Sequence, residues 1–282
     1  MAKAGAVAVL TLFDMTARKQ FEQMQADFIA NASHELRTPL SVLSGFIETL
    51  QSTAKDDAAA RGKFLSIMQT QAGRMSGLIE SLLCLSRLQM NEKEKPVSAV
   101  DVPALLPSVK QMLDAKAVKS DMSIVLKPCA QTGTIRGSES ELGQVFQNLT
   151  DNALKYGQAG GRVTVSCRVL NRDEIPEINL PDKDAPAVYA VSVHNTGAPI
   201  PADALPHLFE RFYRVAATKN KAVGTGLGLA IVQQIVKHHN GAIGVESSIE
   251  SGTVFTVYLP MYPDNGGSEN TKSPDSADLK TP

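Results

Sequence analysis

The sequence predicts an α-helical hairpin that pairs with a second copy as a four-helix bundle, followed by an α/β sandwich. Three observations predict it. Apolar residues recur at spacings of three and four across two long segments joined by one polar turn, the signature of amphipathic helices. A charged, proline-containing stretch, NEKEKPVSAVDVP at 91–103, then breaks the pattern. Beyond it, β-branched runs alternate with amphipathic helical segments, as an α/β domain requires.

Residues 6–13, AVAVLTLF, read as a β-strand. They are too short for a signal-peptide core with a cleavage site and run straight into a charged helix. A lone strand cannot fold by itself, so residues 1–13 are expected to be the last strand of a domain otherwise outside this chain. From Asp14 to about Thr53 the pattern is helical, with Phe21, Met24 and Phe28, then Leu43, Ile47 and Leu50, on one stripe. STAKDDAAARG at 52–62 is the turn, and Phe64, Ile67, Met75, Leu78, Leu82 and Leu85 mark the inner face of a second helix. A hairpin over 14–92 is too thin to bury both stripes, so a homodimer is expected.

A linker is expected at 93–102, and the second domain at 103–262. Its elements read as a helix at 103–118, a strand at 123–127, a helix at 138–156, and strands at 162–170 and 187–195. A helix at 224–239 and a hairpin of AIGVESS and TVFTVYLP complete it. The polar tail, 263–282, is expected to be disordered.

Hydrophobic residues make up 43% of the 282 residues, charged residues 20%, and the formal net charge is −1. This balance excludes a bulk electrostatic nucleic-acid binder. Cys84, Cys129 and Cys167 match neither a disulfide framework nor a metal-binding spacing, which points to a reducing, cytoplasmic setting. No run of about 18 apolar residues spans a bilayer.

Four stretches carry candidate chemistry. NASHELRTPL at 31–40 gathers modest helix formers and an interior proline, which costs about 3 kcal/mol of helix stability. Asn148 and Asn152 lie one turn apart, with Lys155 nearby. Two amide oxygens and an ammonium so placed suit Mg²⁺ and phosphate, or simply a polar helix face. GTGLGLAIVQQIVKHH at 224–239 puts Gly224, Gly226 and Gly228 before an apolar helix, where N–H groups favour an anion. It is neither a P-loop nor a dinucleotide fingerprint, and a glycine-rich helix cap is the plain alternative. HNTGAPIP at 194–201 ends a strand in a glycine turn, and RFYR at 211–214 begins a polar loop that reads as a mobile lid.

The order Asn148, Asn152, Lys155, Tyr156, then Asn195 and Gly197, then FERFY at 209–213, then GTGLGL at 224–229 resembles the GHKL-type ATP-binding domain of bacterial sensor histidine kinases. NASHELRTPL resembles their phosphoacceptor motif, and residues 21–50 are most similar to the sensor kinases of the phosphate regulon. The resemblance covers roughly residues 20–262, and the first strand is similar to the end of a PAS sensor domain.

The resemblance implies ATP and Mg²⁺ as cofactors, with a response-regulator receiver domain as partner. His34 would be the phosphoacceptor, Glu35 its polarising neighbour and Thr38 a residue for dephosphorylating the regulator. Asn148 and Asn152 would hold Mg²⁺ and phosphates, Lys155 a phosphate, and Tyr156 would line the nucleotide pocket. Asn195, Gly197, Arg211, Gly224, Thr225, Gly226, Leu227 and Gly228 would complete the ATP site. The family's usual Asp and second glycine are replaced here by Asn195 and Pro199, and Asn keeps an acceptor oxygen for adenine. His238 and His239 read as helix-end residues. The family also implies an upstream anchor at the inner face of the bacterial plasma membrane. The alternatives are a clamp-type GHKL ATPase, which lacks the phosphoacceptor hairpin, and a scaffold or phosphatase-only protein with weak kinase activity.

Overall fold

A computed structural model describes residues 14–55, 57–91, 94–129, 134–175, 180–181, 185–215 and 224–261. The expected strand at 6–13, the centre of the expected lid at 216–223 and the tail lie outside the described residues. The chain divides into two compact units, one of residues 1–90 with 202–231, the other of 91–201 with 232–282.

In the first unit, α1 (Thr16–Gln51) and α2 (Ala58–Met90) form the hairpin. The expected inner face of α2 holds, with Leu78 and Leu85 buried and Phe64 stacked on Phe46 at 4.9 Å between centroids. α2 starts inside the segment expected to be turn. Asp57 caps it by accepting the Ala60 N–H at 2.9 Å, and three alanines propagate it. Hydroxyls on both helices fold back on their own backbones: Ser33 donates to the Ile29 carbonyl, Thr49 to Gly45, Ser52 to Glu48, Thr70 to Ser66 and Ser81 to Gly77. Among the described residues no helix is long and apolar enough to cross a membrane.

In the second unit a seven-stranded sheet runs β1 (Ser98–Asp101), β3 (Thr134–Gly137), β7 (Gly252–Met261), β5 (Ala187–Asn195), β4 (Arg162–Asn171), β2 (Ser123–Leu126), and β6 (Ala242–Ser248) also pairs with β7. Among the described residues only β2 with β4 is parallel. Strand alternation splits the sheet's side chains. Val163, Val165, Val191, Val193, Phe255 and Val257 fall on one face, in register and buried. α3 (Val102–Lys119) and α4 (Glu139–Tyr156) pack with each other and against β2, β4 and β5. Leu170, Val188, Ala190 and Tyr258 form a smaller cluster on the opposite face. Helix starts follow their caps: Asp101 accepts from the Ala104 N–H before α3, and Ser138 from Glu141 before α4.

Three expectations are corrected. The segment read as linker carries β1, because Val100 is buried and Ser98–Asp101 pair antiparallel with Gly137–Thr134. β3 itself was not legible as a strand in four residues that include a glycine. α5 (Gly228–His238) begins four residues later than expected, since Gly226 takes φ +72°, outside the helical region. Cys129 and Cys167 form a disulfide, with 5.4 Å between Cα atoms. The Lys127 N–H bonds the Val165 carbonyl, continuing the β2–β4 pairing and carrying Cys129 alongside β4.

His238 ends α5 and His239 follows it, as expected of helix-end residues, but both are buried. Both ring nitrogens of His238 face acceptors, the Glu141 carboxylate at 3.0 Å and the Glu94 carbonyl at 2.8 Å. His239 Nε2 accepts the Ser138 N–H at 2.9 Å, so its proton sits on Nδ1 and is donated to the Ile235 carbonyl at 2.8 Å. Burial lowers the His239 pKa from 6.5, outweighing the Ile235 bond and the Glu141 charge, which raise it, while His238 and Lys95 add to the lowering. A folded state that prefers neutral imidazole is favoured above the unfolded pKa and loses that advantage as pH falls through the folded one. Urea unfolding between pH 7 and pH 5 is expected to show stability falling, with a shallower slope in His239→Gln; identical slopes would refute this.

Candidate functional site

On α1, His34 is exposed to solvent, one turn before Thr38, whose hydroxyl donates to the His34 carbonyl at 3.4 Å. Adjacent helix residues do not face one another. Glu35 accordingly reaches across to α2, where its carboxylate accepts from Arg74 Nη2 at 3.1 Å. Pro39 sits inside α1, buried, and its missing N–H leaves the Glu35 carbonyl without its usual helical donor.

The first unit also holds Arg211 and residues 224–228. The Phe212 N–H donates to the Gly226 carbonyl at 2.9 Å, and Phe212 takes φ 65°. A Cβ at Gly226 would come within 2.7 Å of the Phe212 carbonyl carbon, so both its φ and its neighbour require glycine. The Arg211 guanidinium lies 5.0 Å from the Phe28 ring centroid, and burial lowers its pKa. The Phe212 ring lies 5.9 Å from the ring of Phe28, six residues before His34. Leu227 is buried and its N–H meets the Thr225 hydroxyl at 3.4 Å. Among the described residues nothing lies within 4 Å of a Cβ placed at Gly224, and Gly228 opens α5.

In the second unit α4 carries Asn148, Asn152 and Lys155 on neighbouring positions of one face. Lys155 Nζ is paired with Asp151 at 2.6 Å, and Lys116 of α3 takes the other oxygen of the same carboxylate. Burial by itself would raise the Asp151 pKa, but the bonds and charges of the two lysines outweigh it and hold the carboxyl below its usual 3.8. At the end of α4, Tyr156 is 40% exposed. The turn after β5 closes against this end: the Gln158 N–H donates to the Thr196 carbonyl at 2.8 Å, and a Cβ at Gly197 would come within 2.7 Å of the Tyr156 carbonyl oxygen. Asn195 is buried between Val163 and Thr253 in the sheet register, with Nδ2 3.5 Å from the Thr196 carbonyl. Gly252, φ +72°, packs directly on the Asn195 carbonyl.

The structure therefore gathers Asn148, Asn152, Lys155 and Tyr156 on α4, and Asn195 and Gly197 beside its end. Sequence reasoning missed Asp151 and Lys116. Asp151 had a signal, its i,i+4 spacing to Lys155, whereas Lys116 is 35 residues from Asp151 and had none.

The "His Kinase A (phospho-acceptor) domain" model matches residues 24–91, and the "Histidine kinase-, DNA gyrase B-, and HSP90-like ATPase" model matches 137–263. The phosphate regulon sensor protein PhoR of Pseudomonas aeruginosa is 36% identical over 251 residues, covering 87% of this chain and 52% of its own length. The chain thus spans about half of that relative. The solved histidine kinase ShkA, in complex with AMPPNP, is 25% identical with a TM-score of 0.56, covering 85% of this chain and 46% of that one. The histidine kinase ThkA, solved with the response regulator protein TrrA, shares the fold at 22% identity and a TM-score of 0.66, over 89% and 66% of the respective chains. With a phosphoacceptor-domain match over the helical hairpin and an ATPase-domain match over most of the sheet domain, the chain belongs to the sensor histidine kinases.

Proposed function

We propose that the chain is an ATP-dependent protein-histidine kinase that phosphorylates itself on His34 and passes the phosphoryl group to an aspartate of a response regulator. The observation that carries this reading is an exposed His34 on α1 within the matched phosphoacceptor segment. Residues 14–92 would be the phosphoacceptor hairpin and 103–262 the catalytic domain, with 93–102 joining them and giving β1 to the catalytic domain's sheet, and with phosphate sensing as the input of the parent protein, anchored at the membrane.

Asn148 and Asn152 fit Mg²⁺ by the chemistry of their donors, two amide oxygens one helical turn apart beside an ammonium. The ion would neutralise charge on the phosphates and hold them in line. Lys155 supplies a point charge to the phosphates, and Tyr156, Asn195 and Gly197 serve the nucleoside, Asn195 offering its oxygen to the adenine amino group. Arg211, Gly224, Thr225, Gly226, Leu227 and Gly228 are assigned to the triphosphate. A neutral His34 ring nitrogen attacks the γ-phosphorus, the N–P bond forms, the bond to the β-phosphate oxygen breaks and ADP leaves. Glu35 accepts the hydrogen bond of the other ring nitrogen, which requires it to exchange Arg74 for the imidazole. Thr38 orients water for dephosphorylation of the regulator.

Ile29, Leu40, Ile47, Leu65, Ile79 and Leu83 are exposed on a single hairpin, which supports burial against a second copy. The test is incubation with γ-labelled ATP and Mg²⁺: alkali-stable, acid-labile label is expected, and nucleotide binding without label would favour a scaffold. Pro39 supports a hinge beside His34. Pro39→Ala restores a donor to the Glu35 carbonyl, and is expected to shift the ratio of kinase to regulator-phosphatase rates at least about twofold, a margin set by one hydrogen bond. Unchanged rates of both activities would sink the hinge.

A further inference from the structure

Lys155 is a flexible four-carbon side chain, yet in the structure its ammonium is not left to wander. Asp151, one turn earlier on α4, holds Lys155 Nζ at 2.6 Å. The other carboxylate oxygen is occupied by Lys116, which arrives from α3. A carboxylate bonded at both oxygens, by groups on two different helices, cannot rotate to follow Lys155. It is a fixed post.

We infer that Asp151 is a positioning residue for nucleotide binding, anchored by Lys116 and acting through Lys155. The inference rests on the proposed role of Lys155 at the phosphates. Asp151 is about four-fifths shielded from solvent, so its pairing is less screened than a surface ion pair. Both lysines are rich in rotamers, and the shared carboxylate has removed part of that freedom before any ligand arrives. The charge count explains why two lysines are needed. A lone Asp–Lys pair would be neutral and of little use to a triphosphate, whereas two ammoniums on one carboxylate leave a net positive charge beside the asparagine face. Lys116 thus restores the charge that Asp151 takes up in holding Lys155.

The test measures equilibrium binding of ATP and of adenosine, with melting temperature, for the full chain and its variants. Asp151→Asn is expected to weaken ATP binding about fivefold to tenfold, the scale of one hydrogen-bonded charge, and to leave adenosine binding unchanged. Asp151→Glu keeps an i,i+4 carboxylate and is expected to recover most of the affinity. Lys116→Ala is expected to reproduce part of the loss, because it removes the group that anchors Asp151. In Lys155→Ala, adding Asp151→Ala is expected to cost nothing further, because a residue acting through Lys155 has nothing left to act on. Equal losses for ATP and adenosine, or additive losses in the double variant, would reduce Asp151 to a general structural role and overturn the inference. Unchanged or tighter ATP binding in Asp151→Asn would overturn it too, leaving the proposed function standing. An unsubstituted chain that binds no ATP would overturn the proposed function and this inference together.

Discussion

His34→Gln is expected to abolish acid-labile phosphorylation entirely while leaving the fold and nucleotide binding intact. The imidazole is exposed and among the described residues makes no side-chain hydrogen bond that would be missed, and surface substitutions of this kind shift stability by about 0.5 kcal/mol or less. Glutamine offers no ring nitrogen with a lone pair to attack phosphorus, so the loss falls on the chemical step alone. Filter assays of alkali-stable label, paired with ATP titration and thermal melting, separate the two. Label persisting in His34→Gln would move the phosphoacceptor elsewhere, and loss of ATP binding would mean that α1 supports the nucleotide site in a way this reading does not contain.

The second large effect is expected at Gly252. Its φ of +72° disfavours any side chain, and a Cβ there would fall on the carbonyl oxygen of Asn195 and within 3.1 Å of Thr196 Cα. Left-handed strain of about 1 kcal/mol and crowding of about 1–3 kcal/mol together predict a loss near 3 kcal/mol for Gly252→Ala. That corresponds to roughly 5 °C in melting temperature for a chain of 282 residues. Because the backbone that must move is that of Asn195, ATP affinity is expected to fall at least about tenfold, the equivalent of 1.4 kcal/mol. Gly160→Ala is the control: φ is +73° there, but nothing lies within 4 Å of the added methyl. It is expected to cost only the strain, about 1 kcal/mol, with ATP affinity unchanged. Equal melting shifts in the two variants would show that crowding on Asn195 contributes nothing.

The contrast between these glycines also marks what a sequence discloses. The long helices were legible because Leu78, Leu82 and Leu85 repeat over many turns, and Asn148 and Asn152 because one helical turn fixes their relation. β5 and β7 were legible as nine- and ten-residue runs of β-branched and aromatic residues. β1 and β3, four residues each, are held by pairing with one another and, for β3, with β7, and neither has enough alternation to announce itself. The Cys129–Cys167 bridge and the Lys116–Asp151 pair depend on parallel registration of β2 with β4 and on packing of α3 against α4. Spacing along the chain carries no trace of either. His239 does stand at a helix end, but its burial was not legible because its partner, the N–H of Ser138, is 101 residues away.

The hydroxyls that fold back along α1 and α2 have a mechanical consequence. Ser33, Thr49, Ser52, Thr70 and Ser81 each spend their donor on the carbonyl four residues behind, within their own helix. They are therefore unavailable as directional ties between the two rods, which touch through apolar side chains that tolerate slippage. Arg74 to Glu35 is a directional crosslink, placed at the residue beside His34. A small twist of one rod against the other meets little resistance along most of its length, and is registered as a tug at the residue next to the phosphoacceptor.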